Sequence, residues 1–269
     1  MNATQQPPLP TYDHLSGVGP TLVFLHYWGG SARTWDLVVE RLAGRDMLTA
    51  DFRGWSRSSN LAGPCTLRQL ADDTLAVIAE AGVTDYVLVG HSMGGKVAQL
   101  VAATRPTGLR GIVLVASGPA KPAAGVTAAY REGLSHAYDS DESVAGARDH
   151  ILTATELPEP LRSQIVTDSR ACTDAARTEW PLRGIAEDIS EHTRMISVPA
   201  LVVAGENDLV EPVDVLRDNL VPYLSAADLM VIPKTGHLIP LEAPADLVDA
   251  VTAFAPEAAR PDARPADGS

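Results

Sequence analysis

The stretch YVLVGHSMGGKVAQL, residues 86–100, constrains this chain more than any other. An apolar run meets Gly90, passes through Ser92 and enters a segment of helical pattern by way of Gly94 and Gly95. A short buried strand that turns directly into a helix leaves little room for side chains at the junction. Small residues at 90 and 94, the G-x-S-x-G spacing, let the two backbones approach. The residue at the apex is then held in a strained backbone, and its hydroxyl is pushed out into a cleft. The helix starting beneath Ser92 offers unpaired N–H groups and a positive dipole end. The amide of Met93 is thereby aimed at negative charge developing beside the serine.

The surrounding pattern fits that corner. Apolar runs at 21–26, 47–52, 86–90, 111–116, 200–205 and 229–233 read as strands, and helical periodicity fills most of the gaps between them. Continuously apolar strands alternating with helices imply a parallel sheet covered on both faces, with ligands bound beyond the carboxyl ends of the strands. Residues 1–19 read as an irregular lead-in. Residues 118–196 break the alternation with helix-like segments and prolines at 158, 160 and 181, and read as a helical lid inserted over the sheet. Residues 1–117 and 197–255 would form the core. The tail from 256 to 269 has no apolar period and is expected to be disordered.

A serine becomes a strong nucleophile only when a base removes its proton. His237 follows the strand at 229–233, in a loop that opens with Gly236. Of the other histidines, 14 lies in the lead-in, 136, 150 and 192 lie in the insertion, and His91 is expected to face away from the cleft. Asp208 follows the strand at 200–205, with Glu206 and Glu211 as competing carboxylates. The Gly-x-x-Asp spacing favours Asp208. His237 would act as general base and then general acid, and Asp208 would hold its tautomer. Arg53 reads as a turn-stabilising arginine and Lys96 as a solvated or salt-bridged side chain.

These features resemble the α/β-hydrolase superfamily, in the branch of small serine esterases, lactonases and cofactor-free haloperoxidase or perhydrolase relatives. FLHYWGGSARTWD, ADFRGWSRSS and GHSMGG carry the resemblance, and the loops holding Asp208 and His237 complete it over about residues 17–255. The order Ser92, Asp208, His237 is the family's order. The resemblance implies an α/β-hydrolase fold, a mostly parallel sheet of seven to eight strands with a helical lid. It also implies that the backbone N–H of Trp28 is the second oxyanion donor beside that of Met93. The chain departs from the family at Tyr27, where a glycine is usual, and its N-terminus is short, which favours seven strands.

Composition narrows the function. The formal net charge of −13 argues against nucleic-acid or anionic-membrane surfaces. The N-terminus has no signal-peptide pattern, and no apolar stretch is long enough to span a bilayer, so a cytoplasmic protein is the default expectation. Cys65 and Cys172 make neither a disulfide framework nor a metal spacing. The expected function is hydrolysis of a small or medium ester, lactone or related acyl compound through an acyl-enzyme on Ser92, with no metal or organic cofactor. Tyr27, Trp28, Met93, Leu238 and residues of the insertion such as Trp180 are expected to line an apolar pocket. The insertion, with 8 basic and 13 acidic residues, disfavours strongly anionic substrates. The same triad also serves perhydrolysis, C–C bond hydrolysis and steps in natural-product pathways, and a receptor of another class could keep the fold with little turnover.

Overall fold

A computed structural model describes residues 8–255. Its sheet has the order β1-β3-β2-β4-β5-β6-β7. The strands are β1 (Tyr12–Leu15), β2 (Val18–Leu25), β3 (Arg45–Ala50), β4 (Tyr86–His91), β5 (Leu109–Val115), β6 (Ala200–Gly205) and β7 (Ala227–Ile232). Only β1 runs antiparallel, pairing Tyr12 with Ala50 and Leu15 with Met47. The sheet thus has seven strands among the described residues, and the expected lead-in is partly strand. The pattern concealed β1 because its side chains are mostly exposed, so it carries no apolar run.

Helices α1 (Asp36–Arg41), α2 (Leu67–Glu80) and α3 (Met93–Ala103) follow β2, β3 and β4. The helical pattern after Ser31 is divided: Ala32–Trp35 is a 3-10 turn, and α1 begins after it. Side-chain alternation along each strand sends residues to opposite cores. Leu22, Phe24, Val87 and Val113 pack on one face, while Val23, Leu25, Leu88 and Ile112 pack on the other. Each such aliphatic side chain contributes roughly 1.5–3 kcal/mol by leaving water. α3 lies deepest, with every residue from Met93 to Ala103 buried.

Between β5 and β6 the chain leaves the sheet. It forms α4 (Ala128–Ser135), α5 (Asp141–Ala147), a π-turn at Arg148–Leu152, α6 (Glu159–Arg170), α7 (Asp174–Leu182) and α8 (Ser190–Thr193). Among the described residues this segment contains no strand of the sheet. After β6 come α9 (Val213–Asn219), then β7, α10 (Ile239–Glu242) and α11 (Pro244–Phe254). The expected tail from 256 onward lies outside the described residues. No helix among them is long and apolar enough to cross a membrane.

Candidate active site

The parallel sheet delivers Ser92, Asp208 and His237 to one end, because each follows the carboxyl end of its strand. Ser92 has φ +54° and ψ −114°, a conformation L residues avoid, and it directly precedes α3. Its neighbours show why the corner is glycine-flanked. A Cβ on Gly90 would sit 2.4 Å from the Gly94 carbonyl oxygen, and one on Gly94 would sit 2.4 Å from that of Leu25. The junction has no space for a side chain at either position.

A similar close approach sets the acid and the imidazole. A Cβ on Gly205 would meet the Gly236 carbonyl oxygen at 2.2 Å, so the loops after β6 and β7 touch. Asn207 N–H donates to Thr235 O at 2.9 Å across that contact. His237 Nδ1–H donates to Asp208 Oδ2 at 2.9 Å, in a pair only 2% and 3% exposed. Asp208 Oδ1 accepts from the amides of Val210 at 2.8 Å and Glu211 at 3.0 Å. Burial works against the Asp208 carboxylate. Attraction to the His237 imidazole, its hydrogen bond and the two amides prevail, holding the acid below the usual carboxylate range. Neither rival carboxylate pairs with the imidazole: Glu206 Oε2 accepts from Lys234 N–H at 2.8 Å, and the Glu211 side chain makes no bond to His237.

Two histidines that the sequence reading left aside hold the site. His91 is fully buried beneath His237, with ring centroids 5.3 Å apart, and its Nε2–H donates to the His237 carbonyl at 2.8 Å. Burial, with the nearby His237, pushes its pKa down to about 3, so it is neutral. His26 donates from Nδ1 to Tyr27 O at 2.7 Å and accepts at Nε2 from Phe52 N–H at 3.0 Å. That pairing fixes one neutral tautomer and joins the loops after β2 and β3. Neither role has a sequence signal beyond the residue type at a strand end.

Ser92 and His237 open onto a cavity of about 380 Å³ with a largely apolar wall. Tyr27, Trp28 and Trp180 line it, together with residues of α4 and the π-turn. The Tyr27 ring occupies the space beside Gly30, where a Cβ would lie 2.6 Å from it, and packs 5.1 Å from His91. The Trp28 indole stacks on Tyr138 at 4.0 Å and donates from Nε1 to Arg177 O at 3.0 Å. Among the described residues, the amides of Trp28 and Met93 donate to no protein acceptor. No cluster of three or more His, Cys, Asp or Glu able to hold a metal occurs among the described residues.

Three expectations are corrected. Leu238 does not line the cavity: its N–H is tied to Leu152 O at 3.1 Å and its side chain lies wholly in the core. The Met93 side chain, expected at the same wall, is also in the core. Lys96 is not solvated. It is fully buried on α3 and donates to Gly184 O at 3.1 Å and Glu187 O at 2.5 Å. Burial pulls its pKa down to about 8. Arg53 does stabilise a turn, gripping Asp73 with two bonds of 2.7 Å and Ala62 O with a third.

The model of the alpha/beta hydrolase family matches residues 22–250. The chain belongs to that family. It is 26% identical to an sn-1-specific diacylglycerol lipase of Mus musculus, over 92% of this chain and 85% of that one. It is 28% identical to a pimeloyl-[acyl-carrier protein] methyl ester esterase of Nitrosomonas europaea, over 89% and 97% of the two chains. The fold superposes on an esterase from Exiguobacterium antarcticum with a TM-score of 0.82, at 21% identity, over 90% of this chain and 94% of that one.

Proposed function

We propose that this alpha/beta hydrolase is a serine hydrolase that cleaves a small to medium ester, lactone or related acyl substrate through an acyl-enzyme on Ser92. The observation that carries the reading is the buried His237–Asp208 pair opening, with a strained Ser92, onto one apolar cavity. His237, with Nδ1 committed to Asp208, presents Nε2 as the base for the Ser92 hydroxyl. As the hydroxyl oxygen attacks the acyl carbon, the carbonyl oxygen becomes an oxyanion held by the amides of Trp28 and Met93. Protonated His237 returns its proton to the leaving alcohol. Water, deprotonated in turn by His237, then releases the acid. In this reading the segment between β5 and β6 acts as a lid that roofs the cavity and excludes solvent. The names of the two relatives above, a lipase and a methyl ester esterase, agree with an ester substrate.

A fluorophosphonate probe tests the assignment. It should label the intact protein and fail to label Ser92→Ala, while a chromogenic ester should give a burst of one product per site before steady state. Labelling of the Ser92→Ala protein at another residue would overturn it.

A further inference from the structure

The proposed mechanism leaves one carboxyl group on the cavity wall without a task. Glu211 lies on the wall that also holds Ser92 and His237 and is only 5% exposed. Its position is fixed by its own backbone, whose N–H donates to Asp208 Oδ1 at 3.0 Å, and by Pro212, which begins the turn into α9. Its side chain makes no hydrogen bond and no salt bridge among the described residues. The obvious cation, Lys96, is engaged elsewhere, with its ammonium group on the carbonyls of Gly184, Ile185 and Glu187. The carboxyl oxygens of Glu211 are not sealed in the interior but face the cavity, where a bound molecule can supply their partner.

Building on the ester-hydrolase reading, we propose that Glu211 is the specificity-determining residue of the cavity, and that it selects acyl substrates bearing a neutral oxygen acceptor, a carbonyl or hydroxyl, on an otherwise apolar chain. Burial, followed by the charge of Asp208, drives the Glu211 carboxyl well above the usual range, against the opposing pull of Lys96. At this buried position, with no cation bonded to it among the described residues, the neutral carboxylic acid is the favoured form, with one O–H to donate and a carbonyl to accept. A cationic substrate group is not the match, since a neutral carboxyl carries no charge to pair with it. A purely aliphatic chain would bury Glu211 against carbon and forfeit its solvation. A wall built to hydrogen-bond its substrate discriminates strongly against the analogue lacking the acceptor.

The test compares p-nitrophenyl octanoate with its 3-, 5- and 7-oxo derivatives as substrates of the intact protein, Glu211→Gln and Glu211→Met. At least one oxo ester should exceed plain octanoate in kcat/KM by roughly tenfold or more, as a buried hydrogen bond implies. Glutamine, which still donates and accepts, should keep most of that preference. Methionine, of similar length and apolar, should abolish or invert it by accelerating the plain ester. An unchanged ratio in Glu211→Met overturns the proposal, and so does an equal loss on all four esters, which would mark Glu211 as a support for Asp208. If no ester is turned over and Ser92 is not labelled by a fluorophosphonate, the hydrolase reading fails instead. Calorimetric binding of the same four esters to Ser92→Ala reads the Glu211 preference without turnover. An absent preference there, or one that survives Glu211→Met, also overturns it.

Discussion

The floor and the roof of the cavity are built by different means. The floor is made of strand ends: Ser92, Asp208 and His237 stand where the sheet stops, and backbone contacts too tight for a Cβ fix the corners at Gly90, Gly94 and Gly205. The roof is held by hydrogen bonds, many of them through side chains. Asp168 of α6 accepts from Ser31 Oγ at 2.9 Å and pairs with Arg33, and Ser169 Oγ donates to Gly29 O at 2.9 Å. Tyr138 O–H donates to Trp28 O at 3.1 Å. Leu152 O receives the His237 amide at 2.9 Å, and Glu242 holds the amides of Ala154 and Thr155 at 2.8 and 3.0 Å. The α6, α7 and π-turn side of the roof is thus latched to the very loops that carry Trp28 and His237. The α4 side is not: Tyr130 is 44% exposed and α4 meets the rest mainly through α7. One side of the roof is tied to the loops that hold Trp28 and His237, and the other only bounds the space.

The sharpest break is in the floor. Asp208→Asn should leave the fold intact and lower turnover by about 10⁴, because the amide selects the wrong imidazole tautomer. Steady-state kinetics beside an unchanged circular dichroism spectrum would check this, and a deep loss on replacing Glu206 instead would move the acid.

A second effect is on stability. His91 is held neutral in the fold, at about 3 against 6.5 in the unfolded chain. Below pH 6.5 the unfolded chain binds the extra proton, so stability present above that pH is lost as pH falls toward 3, at up to about 1.4 kcal/mol per unit. His91→Phe, which keeps an aromatic against Tyr27 and Trp35, should flatten the acid limb of the melting curve between pH 6.5 and 4.5 by roughly 2 kcal/mol. An unchanged slope would show that His91 takes up its proton without unfolding.

The contrast also explains what the sequence revealed. The corners of the floor were legible because close backbone approach admits only glycine and leaves a fixed spacing. The placement of Ser92, Asp208 and His237 at one end of the sheet followed because parallel strands all deliver their ends to one side. The roof's latches were not legible. Trp28–Arg177 and Ser31–Asp168 join residues 149 and 137 positions apart, and no local pattern encodes them. Lys96 was misread for a related reason. A lysine next to a glycine pair looks like a solvated residue, and only the fold shows carbonyls arranged around it.

Smaller effects should divide the roof itself. Asp168→Ala should cost about 2 kcal/mol, since Ser31 and Arg33 lose a buried partner, and should reduce kcat more than it raises KM because the Trp28 loop loosens. Denaturant melts and ester kinetics read both, and an unaltered kcat would mean the latch does not reach the chemistry. Tyr130→Ala, on the unlatched side, should leave the melting midpoint within about 0.5 kcal/mol of its original value and shift the preferred acyl length only a few-fold. A tenfold fall in kcat there would erase the distinction between the two sides.

The complete burial of α3 has a bearing on how the molecule opens. A helix with no solvent face has no low-cost route by which its amides can meet water, so exchange with deuterium requires the whole sheet to come apart. The amides from Val97 to Ala103 should therefore exchange at the global unfolding rate, while those of α4 exchange by local fraying. Ser92 is mounted at the head of α3, so an excursion of the roof should leave its position unchanged.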